Sequence, residues 1–161
     1  MLKASTDVKV ADEVWIAAAL LQREQPNRTD FSLKEIAERL RLENLSGGVR
    51  AGVYPHISVH CVANVAPNPG RYRMLMATGP SRRRLFRDGD LAHPRRDGAK
   101  TSPQRQDIPA GYHDLLDWYH QEWSVPSATQ DALLALAGRG RDLWRDESPD
   151  EFVRRMREGA R

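Results

Sequence analysis

The tetrapeptide Ser32-Leu33-Lys34-Glu35 constrains this chain more than any other stretch of it. Serine followed three residues later by glutamate is a capping box. The hydroxyl accepts from the amide of Glu35, and the carboxylate reaches back to the amide of Ser32. Phe31 and Ile36 stand on either side at the spacing of a hydrophobic staple. A helix therefore begins here, with Ile36, Ala37 and Leu40 as its buried face, and runs out near Asn44. That face needs a partner, and residues 11–25 supply one. Val14, Ala17, Ala18 and Leu21 follow helical spacing, Trp15 and Leu20 widen the stripe, and Pro26-Asn27 ends it.

After a loop with three glycines, Leu45–Tyr54, Pro55 suits a first helical turn, so residues 55–64 are predicted to form a third short helix. Their β-branched content leaves a strand open there. Residues 67–71, PNPGR, stop that element. Residues 72–77 and 84–87 are then expected as strands of a hairpin, with Thr78–Arg83 as its basic tip. The predicted class is mainly α with a small β-hairpin (α+β), in the order of a winged helix-turn-helix followed by a C-terminal helical extension. Residues 88–111 are expected as a long loop. Residues 112–123 resume helical spacing through Tyr112, Leu115, Leu116, Tyr119 and Trp123, and should pack back on the first helix or offer a homodimer contact. The implied organisation is a winged-helix domain over 8–123, a linker over 124–130 and a partner-binding tail over 131–161. The tail holds two short helical pieces split by Gly138 and Gly140, the second capped by Ser148, Pro149 and Glu151. Neither is long enough to be stable alone in water.

Charge sharpens the functional expectation. The whole chain of 161 residues carries a formal +3, but residues 50–105 hold 11 basic and 3 acidic side chains, between flanks at −1 and −4. A basic middle is the footprint of a polyanion-binding surface, with double-stranded DNA the expected partner and RNA or an acidic protein surface the alternatives. In a helix-turn-helix the second helix of the motif reads base edges. His56, His60 and Asn64 fall on one stripe of residues 55–64 and Ser58 lies beside them, with Asn64 suited to a bidentate bond to adenine. Arg82, Arg83 and Arg84 at the hairpin tip would meet phosphates or enter a minor groove. Arg71, Arg73 and Arg87 flank the hairpin, and Arg95, Arg96 and Lys100 extend the patch.

Other classes are disfavoured. His56-x-x-x-His60-Cys61 resembles a ligand pair but lacks a third ligand, and adjacent helical residues point about 100° apart, so His60 does not serve Cys61. There is no phosphate loop, Gly-x-Gly-x-x-Gly or nucleophile elbow. The expectation is no catalytic residue, no metal and no cofactor. The chain has no run of 18 apolar residues, no apolar stretch before Val14 and a single cysteine, which fits a cytoplasmic protein without a membrane span.

The tail runs from Asp131 to Leu136, through Gly138-Arg139-Gly140-Arg141-Asp142-Leu143-Trp144, to Asp150–Gly159. It resembles the C-terminal peptide of VapB-type antitoxins of type II toxin–antitoxin systems. That resemblance implies a transcriptional regulator whose tail wraps and neutralises a protein toxin, usually a PIN-domain ribonuclease with a carboxylate-lined metal site. Its first half is instead similar to bacterial winged-helix proteins, in residues 56–79 especially. The residues themselves agree with partner binding. Leu133, Leu134, Leu143, Trp144, Phe152 and Met156 are apolar anchors on pieces too short to fold alone, and Arg139 and Arg141 suit a carboxylate cluster. A protein–protein adaptor without any nucleic-acid role accounts for the same tail.

Overall fold

Helix α1, Val10–Glu24, is apolar nearly all round and therefore takes the centre of the structure. The computed structural model describes residues 7–125, and within them every residue of α1 from Ala11 to Gln22 is buried. The run includes two carboxylates, each tied to a loop. Asp12 meets Lys100 at 3.3 Å, and the same ammonium binds Asp107 at 3.1 Å. Burial raises the pKa of Asp12, and the Lys100 charge opposes the rise. Glu13 accepts from Ser46 and pairs with Arg50 at 2.9 Å, which holds the loop after the second helix against α1.

The capping box closes as expected. The Ser32 amide donates to Glu35 at 2.8 Å and the Glu35 amide donates to the Ser32 hydroxyl at 3.2 Å. Helix α2, Leu33–Glu43, follows and ends on Asn44 in the left-handed region, φ 51°. Phe31–Ser32 itself forms a short strand, β1. The Arg28 guanidinium, 2.6 Å from Glu35, together with the Ser32 amide, pulls the Glu35 carboxyl down to about 2.

The third helix differs from the expectation of 55–64. It spans Val53–Pro55 and continues as a π-helical turn, His56–His60; the two together are α3. Residues 61–64 leave the helix and pair instead with the next strand. Ala63 donates to the Leu75 carbonyl at 2.7 Å, and Met74 and Leu75 donate to the Cys61 carbonyl at 3.0 and 2.9 Å. The strand tendency of the β-branched residues is thus realised at the C-terminal end of the segment alone.

Strands β2, Leu75–Gly79, and β3, Arg82–Leu85, form the hairpin, and the antiparallel sheet has the order β1-β3-β2. The turn is shorter than the sequence suggested. Pro80-Ser81 alone connects the strands, because Gly79 pairs with Arg82 past an irregularity at Ala77/Gly79. Arg82, Arg83 and Arg84 therefore lie within β3 and not on a loop. Residues 88–111 are not structureless either, holding 3-10 turns at Pro94–Arg96 and Arg105–Asp107 and the start of another at Ala110–Tyr112.

Helix α4, His113–Trp118, extends through a π-helical turn, Tyr119–Trp123, and packs on α1 as predicted. The Tyr119 ring meets Trp15 edge-on at 5.4 Å, and its hydroxyl donates to the Phe86 carbonyl at 2.9 Å. The expected linker lies mostly, and the tail over 131–161 wholly, outside the described residues. Among the described residues no helix is long and apolar enough to cross a membrane.

Removing the cap tests the local account. Ser32→Ala should cost about 1 kcal/mol in urea unfolding at neutral pH. Because Glu35 titrates lower in the folded chain than in the unfolded one, its contribution should be intact above pH 4.5 and fade as the pH falls toward about 2. Glu35→Gln should flatten that part of the wild-type stability profile.

Candidate nucleic-acid interface

Strand alternation decides what the arginine triplet does. Successive β3 side chains point to opposite faces, so Arg83 and Leu85 turn inward while Arg82 and Arg84 turn outward. Arg83 is only 5% exposed. Its Nε donates to the Ile57 carbonyl at 3.0 Å and Nη2 to the Ser58 carbonyl at 3.1 Å. Nη1 donates to Arg82 and Gly79 carbonyls at 2.7 and 3.2 Å. No carboxylate balances it among the described residues. The negative end of α3 does so instead.

The two outward arginines meet acids. Arg82 binds Asp30 through Nε at 2.8 Å and Nη2 at 2.5 Å. The Thr78 hydroxyl and then the Arg82 guanidinium hold the Asp30 carboxyl below the usual carboxylate range. Arg84 grips Asp90 with two bonds of 2.7 and 2.8 Å. Such bidentate pairs fix the guanidinium plane and set an opposite charge against it. The cationic tip expected from Arg82, Arg83 and Arg84 is therefore replaced by one buried clamp and two neutralised pairs.

Arg96 repeats the role of Arg83 from another element. It is fully buried, and it donates to the carbonyls of Val59 at 2.7 Å, His60 at 2.8 Å, Tyr72 at 2.7 Å and Val65 at 2.7 Å. Ile57, Ser58, Val59 and His60 are consecutive, so two guanidiniums satisfy the last four carbonyls of α3. Those groups have no i+4 amide to accept from. Burial lowers the pKa of both arginines, yet a guanidinium stays charged.

The residues expected to read bases are likewise occupied. Asn64 is turned to β2, where its Oδ1 accepts from the Ala77 amide at 2.9 Å and its Nδ2 donates to the Ala77 carbonyl at 3.0 Å. The bidentate geometry expected toward adenine is spent on a backbone peptide. His56 bonds through Nδ1 to the Gly52 carbonyl at 2.8 Å, and its ring stands edge-on to His60 at 4.9 Å. Ser58 is half-buried, and its carbonyl takes Arg83. Cys61 is buried, and desolvation pushes its thiol well up, which leaves it protonated.

Of the remaining arginines, Arg73 and Arg87 are half-buried. Arg73 donates to the Ala99 carbonyl at 2.9 Å with its guanidinium 5.7 Å from the Phe86 ring, and Arg87 lies 3.8 Å over Trp123. Arg71 and Arg95 are exposed. Lys100 is half-buried between Asp12 and Asp107. The tail candidates Leu133, Leu134, Arg139, Arg141, Leu143, Trp144, Phe152 and Met156 lie outside the described residues.

Sequence reasoning missed a set of exposed apolar side chains ahead of the polar stripe. Leu42 is 63% exposed, Val49 41% and Tyr54 51%, all between the end of α2 and the first turn of α3. Their separation by Gly47, Gly48 and Gly52 hid them among loop residues. Comparison with protein-family models, with curated proteins and with solved structures finds no match.

The two kinds of arginine separate by mutation. Arg83→Ala and Arg96→Ala should each lower the stability by on the order of 3 kcal/mol, since several buried carbonyls lose their donors at about 1–3 kcal/mol each. Arg82→Ala, which removes a partly exposed pair, should cost about 1 kcal/mol or less in the same denaturant titration.

Proposed function

We propose that residues 10–87 form a winged helix that acts as a protein-binding module, and that the chain is an adaptor with its second contact in residues 131–158. The order α1-β1-α2-α3-β2-β3, with the third strand between the first two, supports the winged-helix assignment. The observation that carries the protein-binding role is the exposure of Leu42, Val49 and Tyr54 between the end of α2 and the first turn of α3. Tyrosine is among the usual anchors of protein interfaces, and Leu42 and Val49 add exposed apolar surface along the same α2–α3 stretch. The guanidiniums of β3 support the same choice, because those of Arg82, Arg83 and Arg84 already have partners. The resemblance of the tail to antitoxin peptides makes a PIN-domain toxin the first partner to test.

Nucleic-acid regulation is the second proposal, and a specific observation favours it. Arg71, Arg73, Arg87 and Arg95 have no carboxylate partner within 4 Å among the described residues. They gather at the open end of the hairpin, where Phe86 donates to Met74 at 3.0 Å and Arg96 reaches Tyr72 at 2.7 Å. Any backbone contact would sit there and not at the Pro80-Ser81 tip. DNA and RNA are alike in this respect.

Co-purification after nuclease treatment, beside a gel-shift titration with duplex DNA and with RNA, separates the two. An adaptor should retain a discrete protein partner, lose it at least tenfold in the Leu42→Asp/Tyr54→Ala double variant with the melting temperature unchanged, and shift neither nucleic acid. A salt-sensitive shift abolished by Arg71→Ala/Arg95→Ala would overturn the adaptor in favour of the regulator.

A further inference from the structure

The end of α3 also carries a titratable group in an unusual place. The His60 backbone carbonyl belongs to the clamp just described, accepting from Arg96 at 2.8 Å and from the Tyr72 amide at 3.2 Å. Its side chain lies under residues 68–70. A Cβ built on Gly70 would stand 2.7 Å from the Cβ of His60 and 3.3 Å from its Nδ1, so only glycine fits over this ring. With the backbone that close, Nδ1 is buried and has no hydrogen-bond partner.

The ring's other neighbours are cationic or neutral. His56 stands edge-on to it at 4.9 Å on its own turn, Arg96 approaches from the 3-10 turn, and the Tyr72 ring lies 6.3 Å from His56. Backbone of Asn68 is the one group that favours a proton on it. Among the described residues no carboxylate pairs with either histidine. A proton added at Nδ1 would thus place a charge in a buried position, beside a buried guanidinium and against a second imidazole, with only the Asn68 backbone to favour it.

We infer that His60 is an acid-sensitive latch, neutral when α3 is docked, whose protonation loosens α3 from the 68–72 segment and from Arg96. Desolvation first, then His56 and Arg96, lower its pKa from the ordinary histidine value of 6.5. The unfolded chain takes up this proton near pH 6.5 and the folded chain only at lower pH. Stability is therefore full above that point and falls as the pH drops through the interval between the two values.

The test uses the full-length chain. Ring titration by NMR should give His60 a pKa below 6.5, and the protection of the Tyr72 amide, taken against its intrinsic exchange rate at each pH, should fall as that proton goes on. In denaturant titrations, the wild-type midpoint should fall between pH 7.5 and 5, with a clearly smaller fall for His60→Gln, whose amide carries no titrating proton. A His60 pKa at or above 6.5, or a His60→Gln profile parallel to wild type, would overturn the latch. If the variant does not fold, the ring pKa and the Tyr72 protection of the wild-type chain decide alone.

Discussion

Four consecutive carbonyls at the end of α3 each accept from one of two buried guanidiniums, and those of Val59 and His60 take the Val62 and Tyr72 amides as well. Arg83 reaches Ile57 and Ser58 from β3, and Arg96 reaches Val59 and His60 from a 3-10 turn more than ten residues further on. Each arginine also binds the strand or loop it must hold, through Gly79 in one case and Tyr72 and Val65 in the other. A short helix with a π-helical turn has little stability of its own. Its position therefore depends on this clamp, and so do the pairing of residues 61–64 with β2 and the placement of the hairpin.

The same principle governs the rest of the charge. Asp12 and Glu13 enter the core on α1 and fasten two loops, while Asp30 and Asp90 take the outward arginines of β3. The excess of basic residues in 50–105 is in large part internal carpentry. Arg73, Arg83 and Arg96 bond to carbonyls, several others face carboxylates, and Arg71, Arg87 and Arg95 do neither among the described residues. Between α2 and α3 the exposed side chains are mixed, with Leu42, Val49 and Tyr54 standing among Lys34, Glu38 and Arg41.

Much of the helical framework was legible in the sequence because local signals fixed it. The capping box at Ser32, the apolar run of α1 and the aromatic stripe of α4 each depend on near neighbours. The fate of the arginine triplet was not legible. A two-residue turn at Pro80-Ser81 instead of a longer tip brings Arg82 and Arg83 into the strand with Arg84, and alternation then buries Arg83. Nor does any spacing rule announce that Arg96 will cross to α3, or that Asn64 will bond to the Ala77 peptide. Those contacts are made between residues 13 to 37 positions apart, and they belong to the tertiary structure alone.

The clamp is tested most directly by the exchange of the arginine side-chain protons. Nε–H groups locked on buried carbonyls should exchange with solvent far more slowly than exposed ones. By nitrogen-15 NMR near neutral pH, Arg83 and Arg96 should give persistent, slowly exchanging Nε–H signals, while those of Arg71 and Arg95 exchange rapidly. Equal, rapid exchange at all four would mean that α3 is held in place by something else.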